Sequence, residues 1–309
     1  MSGDRTGAPA TLYGVTGLRP GGPAVVAIGG GHGLSQTLRA ARRYAGGITA
    51  IVSVADDGGS SGRLRADFGI PAPGDLRKCL GALLPEPASP LAAALEHRFD
   101  AGALTGHAFG NLLIAALAAS MGGFAEAVAE AGRLLGALGL VLPATIGPVD
   151  LKATGDFGEV DGQVRIMATT GVRHLSLVPP DARTPAAAVR ALEEAEQIII
   201  GPGSLYTSVL AACCVPQLRD AITRSTAQRV YVANLREQPP ETAGYDVATH
   251  VEALARHGVL VDVVLADPAA LPIGELGAAR LVRATVGDDG LVAHDPALLA
   301  RQLAELLSV

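Results

Sequence analysis

The sequence predicts an α/β protein built on a doubly wound, mostly parallel sheet, and three observations predict it. Its short β-rich runs are apolar throughout rather than alternating, as strands covered on both faces must be. They alternate along the chain with segments of helical periodicity. Several run straight into loops rich in glycine, serine, aspartate or asparagine, at the strand ends where open α/β sheets bind ligands.

Residues 1–22 read as a loose N-terminal tail, with glycines, prolines, an early Asp4 and no apolar core of a signal peptide. The rest, 23–309, reads as a single domain. AVVAI (24–28) is its first strand, a helix follows over 34–44, and ITAIVSV (48–54) is the second strand. Helical periodicity returns at 109–119 and 124–138. From about 149 to 177 the rhythm breaks, because GDFGEVDG sets turn signals between two strand-like pieces. This predicts a small antiparallel or irregular insertion, a lobe over the site. The alternation then resumes with a helix at 185–195, strands at 197–201 and 229–235, a helix at 247–257 and a strand at 259–266.

Composition excludes several functions. A net charge of -6 argues against nucleic acid or an anionic membrane as the main partner, since either favours a basic face. With 3% aromatic residues and no tryptophan, no stacking platform for single strands stands out. GNLLIAALAASMGGF is too short, and too broken by glycines, for a membrane span. Cys79, Cys213 and Cys214 form neither a disulfide framework nor a metal-ligand spacing. The expectation is a cytoplasmic protein with reduced thiols.

The glycine run GGGHG (29–33) is the first candidate site. A dinucleotide fingerprint begun at Gly29 needs glycine at Leu34, and one begun at Gly31 needs it at Gln36; a Walker A lysine is missing as well. What remains is a strand, a tight turn and a helix whose first N–H groups and dipole face the turn. Gly30, Gly31, His32 and Gly33 are therefore candidates for anion binding, against the alternative of a purely structural turn.

The second strand ends in DDGGSSG, offering Asp56 and Asp57 to a ribose or a metal, followed by Gly58, Gly59, Ser60 and Ser61. A solvated acidic turn is the competing reading. At GPGS, Gly203 and Ser204 precede another helical run, where Ser204 is either a ligand or an N-cap. Two helix N-termini on one edge could share the two phosphates of a diphosphate. In PGDLRK, Asp75 either caps a helix or binds ligand, and Lys78 meets a phosphate or an acidic neighbour. His107 and Asn111 share a helix face beside an apolar run, as site residues or as a buried hydrogen-bonded pair. The remaining histidines lack metal-ligand spacing.

Taken in order, GGGHGLS, DDGGSSGRLR, PGDLRKCL, GHAFGNLLIAAL, GPGSLYTSV and NLREQPPETAGY resemble the YvcK family of bacterial proteins, the gluconeogenesis factors, which is related to the CofD transferases. The resemblance runs from about Val25 to near the C-terminus. It implies a Rossmann-like fold and a cytoplasmic protein that binds UDP-N-acetylglucosamine and supports cell shape and peptidoglycan synthesis, notably on gluconeogenic carbon sources. It adds Asn234, Gln238, Glu241 and Thr242 to the candidate ligand residues. His32 departs from the family's GGGTG loop, and Arg236, Glu237 and Pro240 depart from its NLMTQPGET pattern. A regulator of this kind implies an unidentified protein partner and is compatible with a homo-oligomer. The alternative is a CofD-like transferase acting on a deazaflavin, with magnesium at Asp56 and Asp57.

Overall fold

The structure, a computed structural model, describes residues 18–308, so most of the expected tail lies outside it. Its last residues are attached to the domain: Leu18 packs on the core, and the Arg19 N–H donates to the Ala45 carbonyl at 3.0 Å.

Among the described residues, ten strands follow one another: β1 (Ala24–Gly29), β2 (Gly47–Val52), β3 (Leu140–Pro143), β4 (Asp150–Gly155), β5 (Gly158–Asp161), β6 (Val172–Val178), β7 (Gln197–Ile200), β8 (Gln228–Val232), β9 (Val263–Ala266) and β10 (Arg280–Arg283). Seven form one sheet in the order β10-β9-β8-β7-β1-β2-β3, with every pairing parallel. Ile28, Ile51 and Ile199 are wholly buried within it, as continuous apolar runs require. The chain proceeds outward from β1 to β3 on one side and from β7 to β10 on the other. The strand order therefore reverses between β1 and β7, and that switch point opens a crevice beyond their carboxyl ends.

The six helices of the first half are α1 (Gly31–Ala41), α2 (Gly59–Phe68), α3 (Gly74–Ala82), α4 (Pro90–Glu96), α5 (Phe109–Met121) and α6 (Phe124–Leu134). In α1, Leu34, Leu38 and Ala41 fall on one face at spacings of four and three, and all three are fully buried. The expected insertion is a second sheet, β5-β4-β6, wholly antiparallel, with a short helix Gln163–Met167 between β5 and β6.

The differences from expectation sit at the edges. β3 and β10, which the apolar runs do not announce, are the two outer strands of the large sheet. Edge strands tolerate what interior strands do not, and here LVLP ends in proline while RLVR is charged at both ends. The final helix Pro296–Leu306 was also missed, although Asp295 caps it and proline occupies its first turn, both readable start signals. Among the described residues, no helix is long and apolar enough to cross a membrane.

Candidate functional site

β1 delivers its glycine run to the switch point. Gly30 is the N-cap of α1, and Gly31 follows in the left-handed region at φ +64, where a side chain is disfavoured. The first N–H groups of any helix lack intrahelical acceptors. At α1 no side chain caps them and no acidic residue stands in the helix's own first turn; the carboxylate that approaches its N-cap is that of Asp75, from α3.

Two neighbouring loops are fitted against this turn. A Cβ on Gly33 would overlap the Pro202 carbonyl oxygen, so the β1 and β7 loops touch backbone to backbone. Thr37 in α1 adds a hydrogen bond from its hydroxyl to the Gly201 carbonyl, 3.1 Å. The loop after β8 joins through Asn234, whose Oδ1 accepts from the Gly203 N–H and whose Nδ2 donates to the Gly203 carbonyl, both at 2.9 Å. These contacts enclose a cavity of about 210 Å³ bounded by His32, Gly33 and Gln36 on one side and by Pro202, Leu235 and Gln238 on the other.

Its remaining wall is a segment that sequence reasoning missed. Residues 286–294 form a hairpin that places Val292, Ala293 and His294 on the cavity. Asp267, just past β9, accepts from the N–H groups of Val286 and Gly287 at 2.8 and 3.0 Å, and Arg236 reaches the Gly290 carbonyl. The His294 Nε2 donates to the Ala233 carbonyl at 3.1 Å, and burial pushes its pKa down to about 4. The available signal was that VVLA also runs into a polar turn, ADP, making β9 a fifth strand with such an ending on this edge.

On the other flank of the β1 turn lie the acidic residues. The Asp56 carboxylate accepts from the Gly58 N–H at 3.0 Å and bonds Ser61, and it faces Asp75 from the first turn of α3. A Cβ on Gly30 would lie 2.5 Å from Asp75 Oδ2 and 3.2 Å from Ser208 Oγ, so both side chains pack closely on the glycine and a side chain there would have to displace the Asp75 carboxylate. Lys78 pairs with Asp75 at 3.0 Å. Burial raises the Asp56 pKa; the Gly58 N–H opposes this, Asp75 adds to it, and Ser61 and Lys78 oppose it.

A group whose folded pKa is raised favours the fold while protonated and loses that contribution as pH rises from the ordinary carboxylate value through the raised one. Asp56→Asn is therefore expected to raise the melting temperature modestly at pH 7, with the gain disappearing as pH falls toward the normal carboxylate range. A melting series against pH checks this, and the same substitution should weaken ligand binding.

Several expected site residues hydrogen-bond within the protein and hold the loops. Asp57 accepts from the Gln163 and Val164 N–H groups at 2.9 and 3.0 Å, capping the short helix of the insertion. Asp57→Ala is expected to cost about 1–3 kcal/mol by leaving those donors unpaired, and to speed hydrogen exchange at 163–167. Ser60, His107 and Asn111 form a buried cluster: Asn111 Nδ2 donates to Ser60 Oγ, and Ser60 Oγ meets His107 Nδ1, each at 3.1 Å. The reading as a buried hydrogen-bonded set therefore describes them, and they fix the start of α2 from behind. Thr242 Oγ1 accepts from the Gln238 N–H at 2.9 Å. For a divalent ion the expected pair does not fit, because Asp57 is spent on the insertion; the carboxylate facing Asp56 is that of Asp75.

The second helix N-terminus also needs correction. Leu205–Leu210 is a π-helix, and Ser204 makes no side-chain capping bond to it. Its start is met by Glu241, 2% exposed, whose Oε1 accepts from the Thr207 N–H at 3.1 Å and from its hydroxyl at 2.8 Å. A protein carboxylate thus already occupies the start of this helix, so the expectation of two free helix N-termini on this edge does not hold. Gly58 and Gly59 supply the turn into α2, with Gly59 at φ +50. The four loops do lie along one edge, three around the cavity and the fourth on the opposite flank of the β1 turn.

Comparisons with known proteins identify the family and the fold. A family described as 2-phospho-L-lactate transferase CofD matches residues 25–304. The chain is 42% identical over 315 residues to a Mycobacterium leprae protein bearing the gluconeogenesis-factor name, covering 93% of this chain and 87% of that one. It is 42% identical over 248 residues to the gluconeogenesis factor of Halalkalibacterium halodurans, covering 78% and 76%. A Nostoc relative of the same name is 47% identical over 236 residues, covering 75% of this chain but only 52% of its own length. A crystal structure of a UPF0052-family member from Bacillus halodurans superposes with a TM-score of 0.85 at 34% identity, covering 95% of this chain and all of that one.

Proposed function

The chain belongs to the CofD family, in its gluconeogenesis-factor branch, and on that premise we propose that it is a regulatory protein that binds a nucleotide sugar, UDP-N-acetylglucosamine. In this reading it acts in the cytoplasm, supports cell shape and peptidoglycan synthesis during gluconeogenic growth, and signals through a protein partner. The observation that carries the reading is the uncapped N-terminus of α1 opening onto a preformed cavity at the switch point of the sheet. A regulator is favoured over a transferase because the motif side chains are spent on shaping this edge: Asn234 on Gly203, Glu241 on Thr207, His107 on Ser60 and Asp57 on the insertion. Such an edge can select a ligand by shape and hydrogen bonding, with Asp56 and Asp75 available to its hydroxyls. The insertion, held to the β2 loop by Asp57 and to Pro240 by the Thr170 hydroxyl, is placed to feel occupancy of the site.

The test is a calorimetric panel of UDP-sugars, NAD(P), GDP and a deazaflavin against the purified protein. UDP-N-acetylglucosamine is expected to bind, to stabilise the fold by about 2.7 kcal/mol at one hundred times its dissociation constant, and to be returned unchanged. At roughly 2–4 °C per kcal/mol for a large domain, this is a melting shift of about 5–10 °C. Transfer of a phosphoryl-linked acid from an added guanosine-diphosphate-linked donor to a deazaflavin acceptor, with release of GMP, would replace the regulator by a CofD-like transferase.

A further inference from the structure

The two flanks of the candidate site differ in chemistry, and the geometry points to one orientation of the ligand, resting on the nucleotide-sugar reading above. We propose that the base enters the cavity beside Gln36, Arg236 and Val292, the phosphates lie on the first N–H groups of α1, and the glycosyl group lies against Asp75 and Ser208.

The centre of this arrangement is fixed by charge. Of the helix starts around the β1 turn, that of the π-helix is filled by Glu241, that of the insertion helix by Asp57, and α3 carries Asp75 in its first turn. At α2 the carboxylate of Asp56 accepts from the Gly58 N–H just ahead of the first turn. Both α1 and α2 start with no carboxylate in the first turn and no side-chain cap, but of the two only the start of α1, through His32 and Gly33, lines the cavity, so the ligand's dianionic part is placed there, with the Asp75 carboxylate beside Gly30 on its far side.

From that centre the two flanks differ in kind. Toward β8 and β9 lies the cavity, walled by Pro202, Leu235 and Val292 with amide groups at Gln36 and Gln238 and the Arg236 cation at its edge. Apolar walls with a few polar edge groups suit a planar heterocycle. Toward β2 lie two carboxylates, Asp56 and Asp75, against the single cation Lys78. A second anion is repelled there, whereas sugar hydroxyls can donate to both carboxylates. The Ser208 hydroxyl, beside Asp75 across Gly30, has no hydrogen-bond partner among the described residues and is free to bond a sugar. Ser208, which lies within GPGSLYTSV, and Gln36, just past GGGHGLS, are thus specificity residues that the candidate ligand set does not include.

The experiment is calorimetry of UDP, UDP-N-acetylglucosamine and UDP-glucuronate with the wild-type protein, Val292→Asp and Ser208→Ala, each variant first shown to melt cooperatively. Val292 is 72% exposed, so its substitution leaves the core intact. Val292→Asp is expected to weaken UDP and UDP-N-acetylglucosamine by the same factor. Ser208→Ala is expected to weaken UDP-N-acetylglucosamine by about two- to tenfold, the value of one hydrogen bond, and to leave UDP unchanged. The wild type should bind UDP-glucuronate, with a carboxylate on its sugar, more weakly than UDP-N-acetylglucosamine. Equal loss of both ligands on Ser208→Ala, no loss of either, or loss confined to the sugar increment on Val292→Asp overturns the orientation. A wild-type protein that binds UDP-N-acetylglucosamine but not in this pattern refutes the orientation alone; one that binds no nucleotide refutes the nucleotide-sugar reading with it.

Discussion

Gly33→Ala is expected to destabilise the domain more than any other single substitution in the glycine run. A Cβ at this position would overlap the carbonyl oxygen of Pro202 and crowd the Gly203 nitrogen, and both are backbone atoms that no rotamer change can move aside. The β7 loop they belong to is pinned in turn by Asn234 and by Thr37, so relief requires separating β1 and β7 loops held from both sides. Overpacking of this sort costs about 1–3 kcal/mol, and the rigid partner puts Gly33→Ala at or above the upper end. Thermal or urea unfolding checks it: a melting temperature within a degree of wild type would mean that the two loops separate freely, against the contacts described here.

Gly31→Val is expected to do the reverse, removing ligand binding while the fold survives. No protein atom lies within 4 Å of a Cβ built on Gly31, so the added side chain projects into the open space before α1, where the phosphates are placed. The fold bears only the cost of a β-branched residue at φ +64, at least the roughly 1–2 kcal/mol typical of left-handed L-residues. Calorimetry on the folded variant should give no heat with UDP-N-acetylglucosamine. Two glycines two positions apart are thus assigned opposite duties, one to packing and one to the ligand. Unchanged affinity in Gly31→Val would leave the whole run a structural turn.

The contrast shows what was legible beforehand. β1, β2, β7 and β8 were readable because interior parallel strands must be apolar on both faces, and the loops that follow them stood out because each breaks a run of Val and Ile with glycine or carboxylate. The roles of individual side chains were not readable in the same way. Asp56 and Asp57 are adjacent and chemically identical, yet one faces Asp75 beside the glycine turn and the other caps a helix more than a hundred residues later in the chain. Glu241 resembles a ligand residue in its motif, but its partner Thr207 belongs to a different loop, a contact that only tertiary packing creates. Ser204 has the residue type of an N-cap without the capping bond, since the π-helix that follows takes its acceptor from Glu241 instead. The hairpin at 286–294 carries little apolar pattern and is held by Asp267 and Asp288 through backbone N–H groups, so hydrophobic periodicity passes over it.

The account rests on the placement of the ligand at the N-terminus of α1, and hydrogen–deuterium exchange with and without saturating UDP-N-acetylglucosamine tests that placement most directly. The expected result is slowed exchange in peptides spanning 30–36, 203–204 and 234–238, with a smaller change at 292–294 and at the insertion helix 163–167. Protection confined to another surface, such as the apolar groove between Phe68 and Phe124, with exchange at 30–36 unaltered, would contradict it.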